Sequence, residues 1–280
     1  MSVWASGTEQ GQNLFLRSAL VLALLWALPV LADSPLIGLK RIEQASPWKA
    51  VGRLETGDGG YCTATLIAPD LVLSAAHCIF EKSGKRRAAS ELMFRAGFRN
   101  GRVEAERKVL QTVLPEAYQY RGGDWLTRVA NDVVLLRLST PIATHIIDPF
   151  IVEPRPMRRG EVSVVSYGRG RDSLPSLQHT CQVLDSYRGA MVMDCNTTFG
   201  SSGAPVFRRD GTKTRIASIV SGSVEIDGTR RTTGMALPAL VTRLKAKMIA
   251  EGAPPKAQLR RIGVGTRASG GAKFIRSGGS

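Results

Sequence analysis

Leu66-Ile67-Ala68-Pro69-Asp70-Leu71-Val72-Leu73-Ser74-Ala75-Ala76-His77-Cys78 holds two short apolar runs split by a turn, with a histidine just past the second run. Proline presets the backbone for the bend and aspartate tolerates it, so Ala68-Pro69-Asp70 reads as the connection between two strands. Further along, Asp132 opens Val133-Val134-Leu135-Leu136-Arg137-Leu138. The β-branched start and short length of that run suit a buried strand. A third stretch, Gly200-Ser201-Ser202-Gly203-Ala204-Pro205, sets a serine between two glycines. Short apolar runs with Gly and Pro between them continue through most of the chain, which favours an all-β architecture.

The three stretches carry one histidine, one aspartate and one serine, each suited to a separate job in acyl transfer. A serine hydroxyl is a weak nucleophile at neutral pH. It needs a base within hydrogen-bond reach, and the base needs a partner that holds its tautomer. His77, Asp132 and Ser202 are the candidates for base, orienting acid and nucleophile. Glycine beside the nucleophile lets the backbone turn sharply and aim fixed N–H donors at a developing oxyanion. An α/β-hydrolase would present Ser, acid, His in that order, with a Gly-x-Ser-x-Gly elbow. The order here is His, Asp, Ser.

With these residues in hand, the chain resembles the trypsin-like serine proteases of the chymotrypsin fold, whose motifs are T-A-A-H-C, D-I-A-L-L and G-D-S-G-G-P. The resemblance runs from about Trp48 to about Ala250. It implies two six-stranded antiparallel β-barrels, spanning about 46–147 and 158–235, with catalytic groups meeting at the cleft between them and a closing C-terminal α-helix. It also implies an oxyanion hole formed by the N–H groups of Gly200 and Ser202. Trp48 is expected to pack the first strand. Leu237 to Glu251 places Leu240, Val241, Leu244, Met248 and Ile249 at a spacing that suits an amphipathic helix.

Asn196-Thr197-Thr198-Phe199-Gly200-Ser201-Ser202-Gly203-Ala204-Pro205-Val206-Phe207 is similar to the bacterial glutamyl endopeptidases, with their T-T-G-G-N-S-G-S-P-V-F pattern. Trypsin carries an aspartate before its nucleophile, which receives the amino terminus released by activation cleavage. Here that residue is the neutral Ser201, so no amino-terminal ion pair is expected to switch the protein on, although Lys40-Arg41-Ile42 looks like an activation site. The resemblance assigns the substrate pocket to Thr197, Val220, Ser221 and Gly222. Val220 stands where the glutamyl branch has its acid-recognising histidine. Phe199 departs from the glycine of that branch. Asn196 and Asp194 remain candidates for the pocket floor. The expected preference at the cleaved bond is an uncharged, small or medium side chain.

Ser18 to Ala32, SALVLALLWALPVLA, follows Arg17 and ends in Val30-Leu31-Ala32. That is the layout of a secretory signal, shorter than the roughly 20 residues of a membrane span. Residues 1–32 are therefore expected to be removed, 33–47 to form an amino-terminal segment, and 48–251 the protease domain. An uncleaved anchor is the alternative; a stable anchor is not expected. Export suits Cys62, Cys78, Cys181 and Cys195, since oxidising compartments favour disulfides. Four cysteines allow three pairings, and the resemblance implies Cys62 with Cys78, leaving Cys181 with Cys195. No Cys-x-x-Cys spacing occurs, and neither metal nor cofactor is expected.

Residues 252–280 hold Lys256, Arg260, Arg261, Arg267, Lys273 and Arg276 without an acid, which reads as a basic flexible tail. The formal net charge is +15. Basic surfaces attract nucleic acid, anionic lipid or acidic substrates, but no nucleic-acid motif accompanies these charges and no nucleic-acid partner is expected. Lys85-Arg86-Arg87 reads as a solvated loop, and His145 and His179 as structural or surface residues. The expected partner is a peptide or protein substrate of an exported, periplasmic or secreted endopeptidase. The other readings are a non-catalytic binding homologue of the same fold and a hydrolase of small esters.

Overall fold

A computed structural model describes residues 34–211 and 213–252. The expected signal segment and most of the expected basic tail lie outside the described residues. Fourteen strands dominate the described chain.

The first barrel is built from β2 (Val51–Thr56), β3 (Tyr61–Ala68), β4 (Leu71–Ser74), β5 (Leu92–Ala96), β6 (Ala105–Val113) and β7 (Val134–Leu138). They close in the order β2-β3-β4-β7-β6-β5, each pair antiparallel. Strand alternation fills it. In β5, Leu92, Phe94 and Ala96 are buried while Met93 and Arg95 are only partly so, as a period of two requires. Leu54, Leu66, Val72, Phe94 and Leu136 meet inside. The Pro69-Asp70 turn does join two strands, β3 and β4.

The second half contains β1 (Leu36–Gly38), β8 (Ile151–Val152), β9 (Gly160–Gly168), β10 (Arg171–Tyr187), β11 (Ala190–Met193), β12 (Pro205–Asp210), β13 (Lys213–Ile226) and β14 (Thr229–Met235). Six of them close a second antiparallel ring, β9-β10-β11-β14-β13-β12 and back to β9. β1 adds antiparallel to β10, and β8 lies parallel to β13. Pro175 sits in β10 where the register with β9 shifts between Arg171 and Ser176. A strand tolerates proline there because the ladder is already interrupted.

A third apolar cluster joins the barrels. Trp48 lies in it together with Val51 of β2, its ring 5.1 Å from Phe207 and 5.9 Å from Phe150. The short helices α1 (Ile42–Ala45) and α2 (Trp125–Ala130) precede β2 and β7, and α3 (Pro238–Ala250) closes the chain against β6 and β7. α3 buries Leu240, Val241, Leu244 and Met248. Ile249, expected on the same face, is 72% exposed. One residue beyond Met248 is a rotation of about 100°, enough to carry it off the stripe. No helix among the described residues is long and apolar enough to cross a membrane.

Lys85 and Arg86 of the Lys85-Arg86-Arg87 segment are exposed, as a solvated loop requires, while Arg87 is partly buried. Arg86 donates to the Thr112 carbonyl and hydroxyl at 2.6 Å each, and Arg87 pairs with Asp58 with its side chain 10% exposed.

Candidate active site

His77 lies in a single 3₁₀ turn, Ala76–Ile79, immediately after β4. The next residue, Cys78, is disulfide-bonded to Cys62 in β3, which ties the turn to the barrel wall. Asp132 lies between α2 and β7 and is 4% exposed. Its Oδ1 accepts from the His77 backbone N–H at 2.9 Å, and its Oδ2 lies 2.7 Å from His77 Nδ1. The carboxylate thus grips the histidine by main chain and ring together, and the Nδ1 contact leaves Nε2 free to act as the base.

Ser221, expected in the substrate pocket, lines the cleft with Val220 and Gly222, and its hydroxyl donates to Asp132 Oδ2 at 2.6 Å. Nothing local in the sequence marks this contact. Ser221 sits where the register of β13 with β14 shifts, between Val220 and Gly222. Burial opposes the charge on Asp132, but the His77 charge and the hydrogen bonds from His77 and Ser221 outweigh it and hold the carboxyl below its ordinary range. For His77 the largest influence is again burial, which disfavours the cation, yet the Asp132 charge and hydrogen bond leave its pKa raised. The neighbouring Tyr118 phenol is pushed up by burial and by the Asp132 charge, so it stays protonated.

Ser202 lines the same cleft as His77 and Asp132, a space of about 510 Å³. The loop carrying it is fixed by its carbonyls. Thr63 of β3 donates its N–H to the carbonyls of Gly200 and Ser202 at 3.1 and 2.9 Å, and its hydroxyl to Gly200 at 2.8 Å. The Phe199 carbonyl accepts from the Arg169 N–H at 2.7 Å, and the Ser201 carbonyl from the Ala204 N–H at 2.9 Å. In a trans peptide the N–H points opposite its carbonyl. Anchoring those two carbonyls therefore turns the N–H groups of Gly200 and Ser202 the other way, and neither has a protein acceptor among the described residues.

Gly200 and Gly203 have φ of 90° and 77°, the left-handed region open to glycine. A Cβ at Gly203 would collide with the Ser74 hydroxyl and the Thr63 carbonyl. Ser201 is fully buried. Its hydroxyl donates to Ser166 Oγ at 3.2 Å and accepts from the Thr198 N–H at 3.3 Å.

Thr197, Val220 and Gly222 line the cleft beside Ser202. Asp194 and Asn196 do not: the Asp194 carboxylate accepts from the Gln182 N–H, and Asn196 donates its N–H to the Gln178 side chain. Phe199 is 69% exposed at the rim, with the Arg169 guanidinium 4.3 Å above its ring. Asp132 is the one acid in the lining among the described residues, beside Arg128 and Arg230. The second disulfide joins Cys181 to Cys195, and no cysteine among the described residues is free. The sulfurs grouped with His77 and with Asp194 are therefore not thiolate metal ligands. His145 and His179 lie away from the cleft lining.

Two comparisons bear on this arrangement. The family model described as a trypsin-like peptidase domain matches residues 62–213. Among solved structures, the chain is similar to a Glu endopeptidase in complex with MPD, with 16% identity and a TM-score of 0.63 over 79% of this chain and 100% of that one. At that identity the likeness is one of fold.

Proposed function

The chain belongs to the trypsin-like peptidase domain family, and on that premise we propose that it is an exported serine endopeptidase working through Ser202, His77 and Asp132. The reading is carried by one observation. The buried Asp132 holds His77 through Nδ1 at 2.7 Å, and the imidazole shares a cleft with a serine whose loop turns two unpartnered N–H groups outward.

The chemistry follows from those contacts. His77 Nε2 takes the proton of the Ser202 hydroxyl as Oγ attacks the substrate carbonyl. Negative charge moves to the carbonyl oxygen, where the Gly200 and Ser202 N–H groups receive it. The imidazolium, stabilised by an Asp132 that stays ionised, passes its proton to the leaving amine, and the C–N bond breaks. Water, deprotonated by the same imidazole, then hydrolyses the ester on Ser202 and restores the hydroxyl. No metal or cofactor enters this scheme.

Export is supported by the signal-like segment ending at Ala32 and by the two disulfides. The proposal is tested by turnover of a diverse peptide library. The wild type is expected to cleave internal peptide bonds, and Ser202→Ala to lose at least about 10³-fold in kcat/KM. Cleavage of small esters alone would favour an esterase, and binding without turnover a non-catalytic homologue.

A further inference from the structure

The wall of the cleft beside Ser202 contains a hydroxyl whose proton can be located by exclusion. Thr232, 2% exposed on β14, places its Oγ1 2.5 Å from the Cys195 carbonyl oxygen and 2.7 Å from Thr197 Oγ1. A carbonyl has no proton to give and a hydroxyl has one. The Thr232 proton therefore goes to Cys195, and the proton between the two threonines must come from Thr197. Thr197, which lines the cleft, has then spent its only donor on the protein interior. A group that reaches this oxygen finds lone pairs alone.

We infer that Thr232, acting through Thr197, makes the pocket beside Ser202 select an uncharged, hydrogen-bond-donating side chain such as glutamine over the isosteric glutamate in the residue before the scissile bond. The inference rests on the peptidase reading of the cleft. A glutamine amide donates to the waiting Thr197 oxygen. A carboxylate meets lone pair with lone pair, or else turns the Thr197 proton toward itself and leaves two hydroxyl oxygens 2.7 Å apart with no proton between them. Either way a partly desolvated charge is left poorly matched.

Two cations act in the opposite direction. Arg128 lines the cleft, where its guanidinium donates to the Gly122 carbonyl at 3.0 Å. Arg230 also lines the cleft, donating from Nε to Ser223 Oγ at 3.0 Å. It is exposed, where charge pairing is weak and falls with salt, so the short buried relay prevails. Thr232 is a positioning residue, because it touches Thr197 and not the substrate.

The test uses paired peptide substrates that differ only in Gln or Glu before the cleaved bond, at low and at 0.5 M salt (a concentration of about that order screens the arginines). Wild type is expected to favour Gln by about tenfold or more in kcat/KM, with the ratio growing as salt rises. Thr232→Val leaves the Thr197 proton free to face the cleft and should cut the ratio about tenfold. Thr197→Val should lower turnover of the Gln peptide. Thermal melting checks that each variant is folded. A loss of ordinary stability without a change in the Gln/Glu ratio marks a merely structural threonine and overturns the inference. So does a wild type that takes Glu as well as Gln. The same pair is measured for binding to the Ser202→Ala variant by calorimetry, where no chemistry is needed. A Gln preference there sustains the pocket inference even if turnover fails and the peptidase reading falls. Equal affinity, or none for either peptide, overturns it.

Discussion

Asp132 accepts hydrogen bonds from the His77 main chain, the His77 ring and the Ser221 hydroxyl, and in the proposed mechanism the balance among these three donors sets the working pH. The base must be neutral to accept the Ser202 proton, so activity rises with pH as His77 loses its own. Because the Asp132 charge and hydrogen bond lift His77 against the opposing pull of burial, the acid limb of the kcat/KM profile is expected above the ordinary histidine value of about 6.5. Asp132→Asn removes the lift. Its limb should move to lower pH and its rate fall by about 10⁴-fold, both read from one pH–rate profile. Two of these three donors were legible in advance, since His77 and Asp132 sit in recognisable motifs. The third was not. Ser221 was expected in the substrate pocket because its neighbours are, and its distance of 89 residues from Asp132 leaves no local pattern that joins them.

Among the elements, β3 does more than complete a barrel. Thr63 holds the carbonyls of Gly200 and Ser202 from one side, while Cys62 next to it anchors the His77 turn through Cys78. One strand of the first barrel thereby fixes both halves of the site. The strands themselves could be anticipated from turn residues and apolar runs, but Thr63 carries no sequence signal, because its role depends on a loop 137 residues away. The same contact leaves no room at Gly203. Gly203→Ala combines a left-handed φ with a collision against backbone and is expected to cost about 2 kcal/mol or more, lowering Tm by about 4 °C or more, with most activity lost. Scanning calorimetry beside a kinetic assay checks it, and an unchanged Tm would contradict the packing described. Closing the loop between Cys62 and Cys78, 16 residues apart, contributes about 3 kcal/mol on the loop-entropy account.

At the scale of the molecule, two rings of six strands meet across an apolar seam, and the groups of the proposed site come from both sides of it: His77 and Asp132 from the first half, Ser202 and Ser221 from the second. The order of the three motifs made this arrangement readable, whereas the added strands β1 and β8 were not foreseen because each pairs through only two or three residues. The seam also bears on activation. Ser201 offers no carboxylate, its hydroxyl is already bonded to Ser166, and the Lys40 carbonyl is tied to the Arg99 guanidinium. A cut after Arg41 is therefore expected to leave kcat/KM within about twofold (a change near 0.4 kcal/mol), assayed before and after limited proteolysis. Inertness until that cut would refute it.

In the proposed mechanism Ser202 is an activated nucleophile. This is tested by site-localised labelling of the purified protein with a fluorophosphonate, followed by tandem mass spectrometry. One adduct is expected, on Ser202, absent in Ser202→Ala and formed far more slowly in His77→Ala. A folded wild type that takes no label there, or that labels equally well without His77, would contradict the mechanism.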